Sequence, residues 1–235
     1  MDGTYRRADW SRARGYRSSI LPIPTRTELL RRLPRLIVGL VLFGVGIAML
    51  VIANLGLSPW EVMHQGISQK TGIPLGTVGI MTGIVVLLLW IPLKERIGIG
   101  TVFNVFVIGI VIDVALAIFP DSIDTIWLRW ALMFGGVLLI AIGSGLYIGV
   151  GLGPGPRDGL MTGIARRGIP ISIARGSIEI TVLVAGYFLG GTVGIGTVVF
   201  AFGVGPLIAI FLPRLSLEPL YRYEEHDPGR YEGAL

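Results

Sequence analysis

Six long apolar stretches are spaced along the chain, at 36–55, 75–93, 97–119, 130–150, 178–191 and 193–212. Most are close to the ~20 residues that carry an α-helix across ~30 Å of hydrocarbon. The fifth is short unless it begins at Ser172, and that extension draws Arg175 and Glu179 into it. Two segments of different character interrupt the pattern, 58–71 after the first stretch and 154–168 after the fourth. Each is about a dozen residues long and carries charge, too short and too polar to cross. They predict short broken, re-entrant or interfacial helices.

The pattern occurs twice. Gly98-Ile99-Gly100-Thr101-Val102 returns as Gly194-Ile195-Gly196-Thr197-Val198, and Gly72-Ile73-Pro74 answers Gly168-Ile169-Pro170. Ahead of these, Gly56-Leu57-Ser58-Pro59 matches Gly151-Leu152-Gly153-Pro154. The three pairs keep their order at an offset of about 95 residues, which indicates an internal duplication. Two-fold repeats in a very apolar chain are the usual build of membrane transporters and channels.

Composition places that duplication in a bilayer. The chain is 52% hydrophobic and 15% charged, with mean hydropathy +0.74, against roughly 25% charged for a soluble domain. It has no Cys, so disulfides, thiol chemistry and Cys-ligated zinc are excluded. His64 and His226 are the two histidines, too few for a His-rich metal cluster. No cofactor or metal is expected.

Charge then supplies direction. Nine Arg precede residue 36, which by the positive-inside rule sets the N-terminus in the cytoplasm. With six spans, all of the 20 Lys and Arg except Lys70 and Arg129 fall on that side, and the C-terminus joins them. Each copy holds three spans and one short segment. Three is odd, so the second copy enters the membrane from the opposite side. The expected fold is therefore all-α and polytopic: six transmembrane helices arranged as two inverted three-helix repeats, 36–120 and 121–213, each with one short helix. A basic segment, 1–35, and a C-terminal tail, 214–235, flank the membrane domain, 36–213.

The short segments carry the first candidate chemistry. Ser58 suits an N-cap, Pro59 the first helical position and Glu61 the third. Pro156 and Asp158 repeat the scheme, with Arg157 between them. Two helix N-termini meeting between the repeats would offer N–H groups to a small anion or polar substrate, while plain capping explains the same residues. Within the spans, Arg175 and Glu179 are four apart on one face and can pair. Asp113 lies in the C-terminal half of the third span, where a carboxylate must face protein or water; capping, or snorkelling outward near Pro120, is its other use. Glu61, Arg157, Asp158, Asp113, Arg175 and Glu179 are thus the substrate-binding candidates, and none is assigned a catalytic role.

Other features read as structural. Gly155, Gly159 and Gly163 recur every four residues, as do Gly79 and Gly83, or Gly145 and Gly149, giving ridges for close helix approach. Trp60, Trp90, Trp127 and Trp130 lie near span ends, as an aromatic belt requires. His64 and Asn104 read as solvated or incidental polar residues. The arginine-rich N-terminal segment suits topology setting and anionic lipid headgroups better than nucleic acid. No signal peptide is evident before residue 36, and the C-terminal tail from Ser216 reads as solvated.

The stretches LGLSPWEVMHQGIS (55–68), GIGTVFNVFVIGIVIDV (98–114), GLGPGPRDGLMTGIARR (151–167) and GGTVGIGTVVFAFGVGPL (190–207) resemble the bacterial YczE-type membrane proteins, a group that includes YyaS and is related more loosely to YitT. The likeness covers residues 33–213 and implies a multi-pass inner-membrane protein with no substrate attached. Two functions follow. One is a small-molecule or ion transporter with its site between the repeats; the other is a non-transporting accessory or regulatory protein that acts through a partner. No enzyme motif is visible. The expected partners are the bilayer, anionic headgroups, an unidentified small molecule or ion, and further copies of the chain as a homo-oligomer.

Overall fold

The computed structural model describes residues 25–119 and 123–217. These form eight helices and no strand: α1 (Arg26–Ala53), α2 (Pro59–Thr71), α3 (Leu75–Leu93), α4 (Ile99–Ile118), α5 (Ile126–Ile148), α6 (Pro156–Ala165), α7 (Ile171–Leu189) and α8 (Ile195–Leu215). Six of them, all but α2 and α6, are long and apolar enough to cross a membrane. The headgroup contact expected of residues 1–24 and the solvated tail beyond 217 lie outside the described residues.

The helices follow the apolar pattern, with two shifts that have physical causes. α1 starts at Arg26, well before the apolar stretch at 36, because Thr25 and Glu28 form a capping box there. Its first turns therefore belong to the segment read as a basic tail. α7 starts at Ile171 and so contains both Arg175 and Glu179, as the longer reading of the fifth stretch requires.

The core is the crossing of α1 and α5. Gly39 lies against the Gly143 backbone and Gly46 against that of Gly136, so the two helices run antiparallel. A Cβ at any of the four would come within 2.8 Å of the partner's carbonyl oxygen. Where the surrounding lipid is as apolar as the helix faces, the close packing that such backbone proximity permits is what holds helices together. Leu50, Met133, Val137 and Ile140 pack beside the crossing. α4 packs on α1 and α8 on α5, while each short helix packs on a spanning helix of the other copy: α2 on α7, and α6 on α3.

Equivalent residues repeat these contacts. The Arg129 guanidinium donates to the carbonyls of Ala53 and Asn54, at 2.7 and 2.5 Å, where α1 ends. Arg32 donates to the Val150 carbonyl at 2.9 Å, just beyond the end of α5. Arg32 and Arg129, like Ala53 and Val150, are 97 positions apart. The recurring Gly-Ile-Gly-Thr string has the same reciprocity. Gly100 N–H donates to the Leu152 carbonyl at 2.8 Å, and Gly196 N–H to that of Leu55 at 2.7 Å. Each string opens a helix, α4 or α8, and clasps the loop that leads into the short helix of the other copy.

This geometry changes one pairing made from the sequence. Gly56 is matched by Gly153 and not by Gly151. Both adopt a positive φ, 118° and 126°, that side chains rarely tolerate, and both lie against the opposite Gly-Ile-Gly-Thr string.

Candidate functional site

The N-termini of α2 and α6 meet. Pro59 and Pro156 are their first residues, so Trp60 and Arg157 hold the second position in each, and Glu61 and Asp158 the third. Across the junction an Arg157 guanidinium nitrogen lies 2.6 Å from Glu61 Oε1. The Arg157 guanidinium carbon also sits 5.0 Å from the centre of the Trp60 ring. Glu61 is buried, with 3% of its side chain exposed, whereas Arg157 keeps 32%. A buried carboxylate needs such a partner, because its desolvation is otherwise uncompensated.

Three further side chains complete the junction. His64, one turn after Glu61 and equally buried, places Nδ1 4.0 Å from Glu61 Oε1. Neither His64 Nε2 nor Trp60 Nε1 has a hydrogen-bond partner, although both are enclosed by protein. Gly79 of α3 faces His64, and its missing side chain leaves room there. On the α6 side, Tyr147 of α5 donates its hydroxyl to Asp158 Oδ2 at 3.2 Å. Arg157, Arg175 and Glu179 all lie close enough to act on the Asp158 charge.

α6 is seated by Trp90, whose indole N–H donates to the Pro156 carbonyl at 3.0 Å and whose ring fills the space over Gly159. In the matching contact of α2 on α7, the sizes are exchanged. Gly186, 96 positions after Trp90, provides the gap, and the α2 backbone at Val62 and Met63 fills it. Gly159 and Gly163 thus serve packing, the latter against Leu93 and Glu95.

The structure therefore separates the sequence candidates. It joins Glu61 to Arg157 and sets Asp158 beside them. Arg175 and Glu179 pair at 2.9 Å on the more exposed part of α7, with side chains 58% and 32% exposed. Asp113 stands apart: it accepts from the N–H groups of Gly76 and Thr77, at 2.5 and 2.8 Å, and from the Thr77 hydroxyl at 2.7 Å. It caps α3 from α4. Ser58 holds the N-cap position of α2 but makes no side-chain cap bond.

Two expectations change. Trp60 and Trp90 are interior residues, at 6% and 1% exposure, and of the tryptophans near span ends Trp127 is the one that stands out into the surroundings. His64 is buried in the junction, not solvated. Tyr147 was not anticipated, because nothing in α5 alone indicates that its hydroxyl reaches α6; the i, i+3 spacing of Glu61 and His64 was the available signal for the histidine. Among the described residues no group of three His, Cys, Asp or Glu forms a metal-binding set.

Residues 30–213 match the model of a family of unknown function, DUF6198. The chain belongs to this family. Among its relatives is an uncharacterized protein of Haemophilus influenzae, 37% identical over 191 residues, covering 81% of this chain and 87% of the relative. The uncharacterized membrane protein YczE of Bacillus subtilis is 31% identical over 192 residues, with 80% and 89% coverage. YyaS of the same organism is 28% identical over 183 residues, with 75% and 90% coverage. No solved structure matches. The matched region contains every helix from α2 to α7 and so the whole α2–α6 junction. With its six apolar helices and the YczE relationship, the chain is an integral membrane protein of the YczE type.

Proposed function

We propose that this protein is a small-molecule or ion transporter of the bacterial inner membrane, with its site at the meeting of α2 and α6. The observation that carries the reading is the Glu61–Arg157 pair. It joins two short helices through a charge bridge beside two buried nitrogens that have no partner. Ionisable groups within a membrane domain are costly, and they mark substrate or ion paths by default. In this reading the two copies are inverted halves, with both chain ends in the cytoplasm, and they rock about the junction. The reciprocal contacts of Arg32 and Arg129, and of the two Gly-Ile-Gly-Thr strings, support that arrangement. Asp158 belongs to the site, Arg175 and Glu179 to its approach, and Asp113 positions α3. No enzymatic reaction is assigned.

The test is flux into proteoliposomes across a panel of organic anions, cations and neutral metabolites. Solute uptake that Asp158→Asn or Glu179→Gln abolishes, while the variants still insert, is the expected result. Absence of uptake across the panel overturns transport in favour of the accessory role. Reporter fusions at 121–125 and 190–193 test the inversion, and a cytoplasmic signal from either removes it.

A further inference from the structure

We infer that the junction binds a small oxyanion, such as a carboxylate, by exchanging it for Glu61 on Arg157, with one proton taken up by Glu61 as the anion enters. The inference rests on the transport reading for its physiological use, but not for its chemistry.

The argument begins with what the junction already satisfies. Arg157 has a planar fork of donors suited to an oxyanion, and one nitrogen is committed to Glu61 at 2.6 Å. Its side chain is the accessible member of the pair. The Trp60 indole N–H, which can only donate, lacks an acceptor, and so does any proton on His64 Nε2. Both residues are more than nine-tenths buried and both belong to the cluster around Glu61. The N-termini of α2 and α6 add the positive ends of two helix dipoles. The unfilled Trp60 N–H, the uncommitted donors of Arg157 and the two helix N-termini favour an acceptor of negative charge.

Glu61 is the obstacle, and also the switch. An incoming anion beside ionised Glu61 would put two negative charges on one guanidinium in a buried place, which burial penalises heavily. A proton on Glu61 removes that conflict. The pair Arg157⁺/Glu61⁻ becomes Arg157⁺/anion⁻ with a neutral carboxyl, so the charge of the junction is unchanged. No bond other than O–H is made, and the released guanidinium donors pass to the anion. The groups that face Glu61 are consistent with this exchange. His64 on its own helix lies 4.0 Å away, and α6 contributes Arg157 and Asp158. The hydroxyl of Tyr147 from α5 is already given to Asp158. α7 packs the apolar Ile178 and Val182 against the Trp60 cluster, while its Arg175 and Glu179 pair with each other. α3 brings the uncharged Gly79.

The test is equilibrium binding to the purified full-length protein, with sodium benzoate and inorganic phosphate as separate probes and choline chloride as the cation control. For the wild type, benzoate binding is expected to strengthen as the pH falls, by up to about tenfold per pH unit, as uptake of one proton per anion requires. A pH-indicator dye in weak buffer should report that uptake directly, and this measurement needs no variant. Glu61→Gln, which imitates the protonated form, should bind benzoate with no pH dependence, and Arg157→Ala should not bind it. Phosphate binding in place of benzoate assigns the tetrahedral oxyanion, and keeps the mechanism where the proton uptake beyond that of phosphate itself is lost in Glu61→Gln. Wild-type binding without proton uptake, loss of binding in Glu61→Gln, or pH dependence that vanishes in His64→Gln but persists in Glu61→Gln overturns the inference. So does failure of both anions to bind. Proton-linked binding without flux in proteoliposomes leaves this inference standing and overturns transport; flux without proton linkage does the reverse.

Discussion

Arg157 and Glu61 form a 2.6 Å ion pair whose two members differ tenfold in exposure, 32% against 3%. The asymmetry predicts an asymmetric cost. Arg157→Ala strands a carboxylate in the interior, and breaking a buried pair in this way costs about 3–5 kcal/mol, here at the lower end because the arginine is partly accessible. Glu61→Gln leaves a guanidinium that can still be solvated, so it should cost distinctly less. Thermal unfolding of the purified variants checks the order, and adding Glu61→Gln to Arg157→Ala should recover part of the loss.

The two arginines at the ends of the α1–α5 pair predict a matched effect. Helix ends leave carbonyls without partners, and Arg129 and Arg32 supply donors to them from the neighbouring helix. Hydrogen bonds from a charged donor contribute about 1.5–3 kcal/mol each. The bond to Ala53 is part-buried and the one to Asn54 exposed, so Arg129→Met should lower stability by roughly one such bond, Arg129→Lys by less, and Arg32→Met should act in the same direction. A stable Arg129→Met protein would show that the α1 terminus does not depend on the cap.

The crossing glycines allow a sharper comparison within one residue type. Gly39, Gly46, Gly136 and Gly143 meet partner backbone, whereas Gly176 and Gly205 have open space where a side chain would go. Alanine at any of the first four forces α1 and α5 apart, at about 1–3 kcal/mol for overpacking. Alanine at Gly176 or Gly205 should be neutral or slightly stabilising, since it replaces the poorer helix former. Melting temperatures of the six single variants would decide whether backbone contact, rather than glycine content as such, holds the core.

Much of this fold was legible because a bilayer simplifies the code. Apolar runs of spanning length and the punctuation Pro59 and Pro156 placed seven of the eight helix starts to within a few residues, and α1 escaped because a hydropathy window cannot see the capping box of Thr25 and Glu28. The site was legible only in part. Glu61, Arg157 and Asp158 stood out as charges in an apolar setting. Their partners did not, since Tyr147 looks ordinary among the aromatic residues of a span and Trp60 reads as a belt residue, and both become participants only through contacts between helices far apart in the chain. The glycine pairs were present as a spacing of seven, 39 and 46 against 136 and 143, but that periodicity gains meaning only once α1 and α5 are known to cross.

The two ends of the α1–α5 pair are not filled alike, and this supplies a last prediction. Near Ile52, a cavity of about 440 Å³ opens among Asn54, Gln65, Gln69, Arg129 and Thr192. The position equivalent to Ile52 is Gly149, 97 residues on, and there the chain following α8 occupies the space. Leu217 N–H donates to the Gly149 carbonyl at 2.9 Å, and the Leu217 side chain packs onto Leu36, Leu40, Tyr147, Val150 and Leu152. A charge at 217 cannot stay on that apolar cluster, so Leu217→Glu should lift the segment and expose what it covers. The absence of native Cys makes the measurement clean. In purified protein, a cysteine introduced at Leu152 should resist maleimide labelling until Leu217→Glu is added, whereas one at Gln69, which lines the cavity and is exposed, should label in both backgrounds. Equal labelling of Leu152→Cys with and without Leu217→Glu would show that the segment does not close that end.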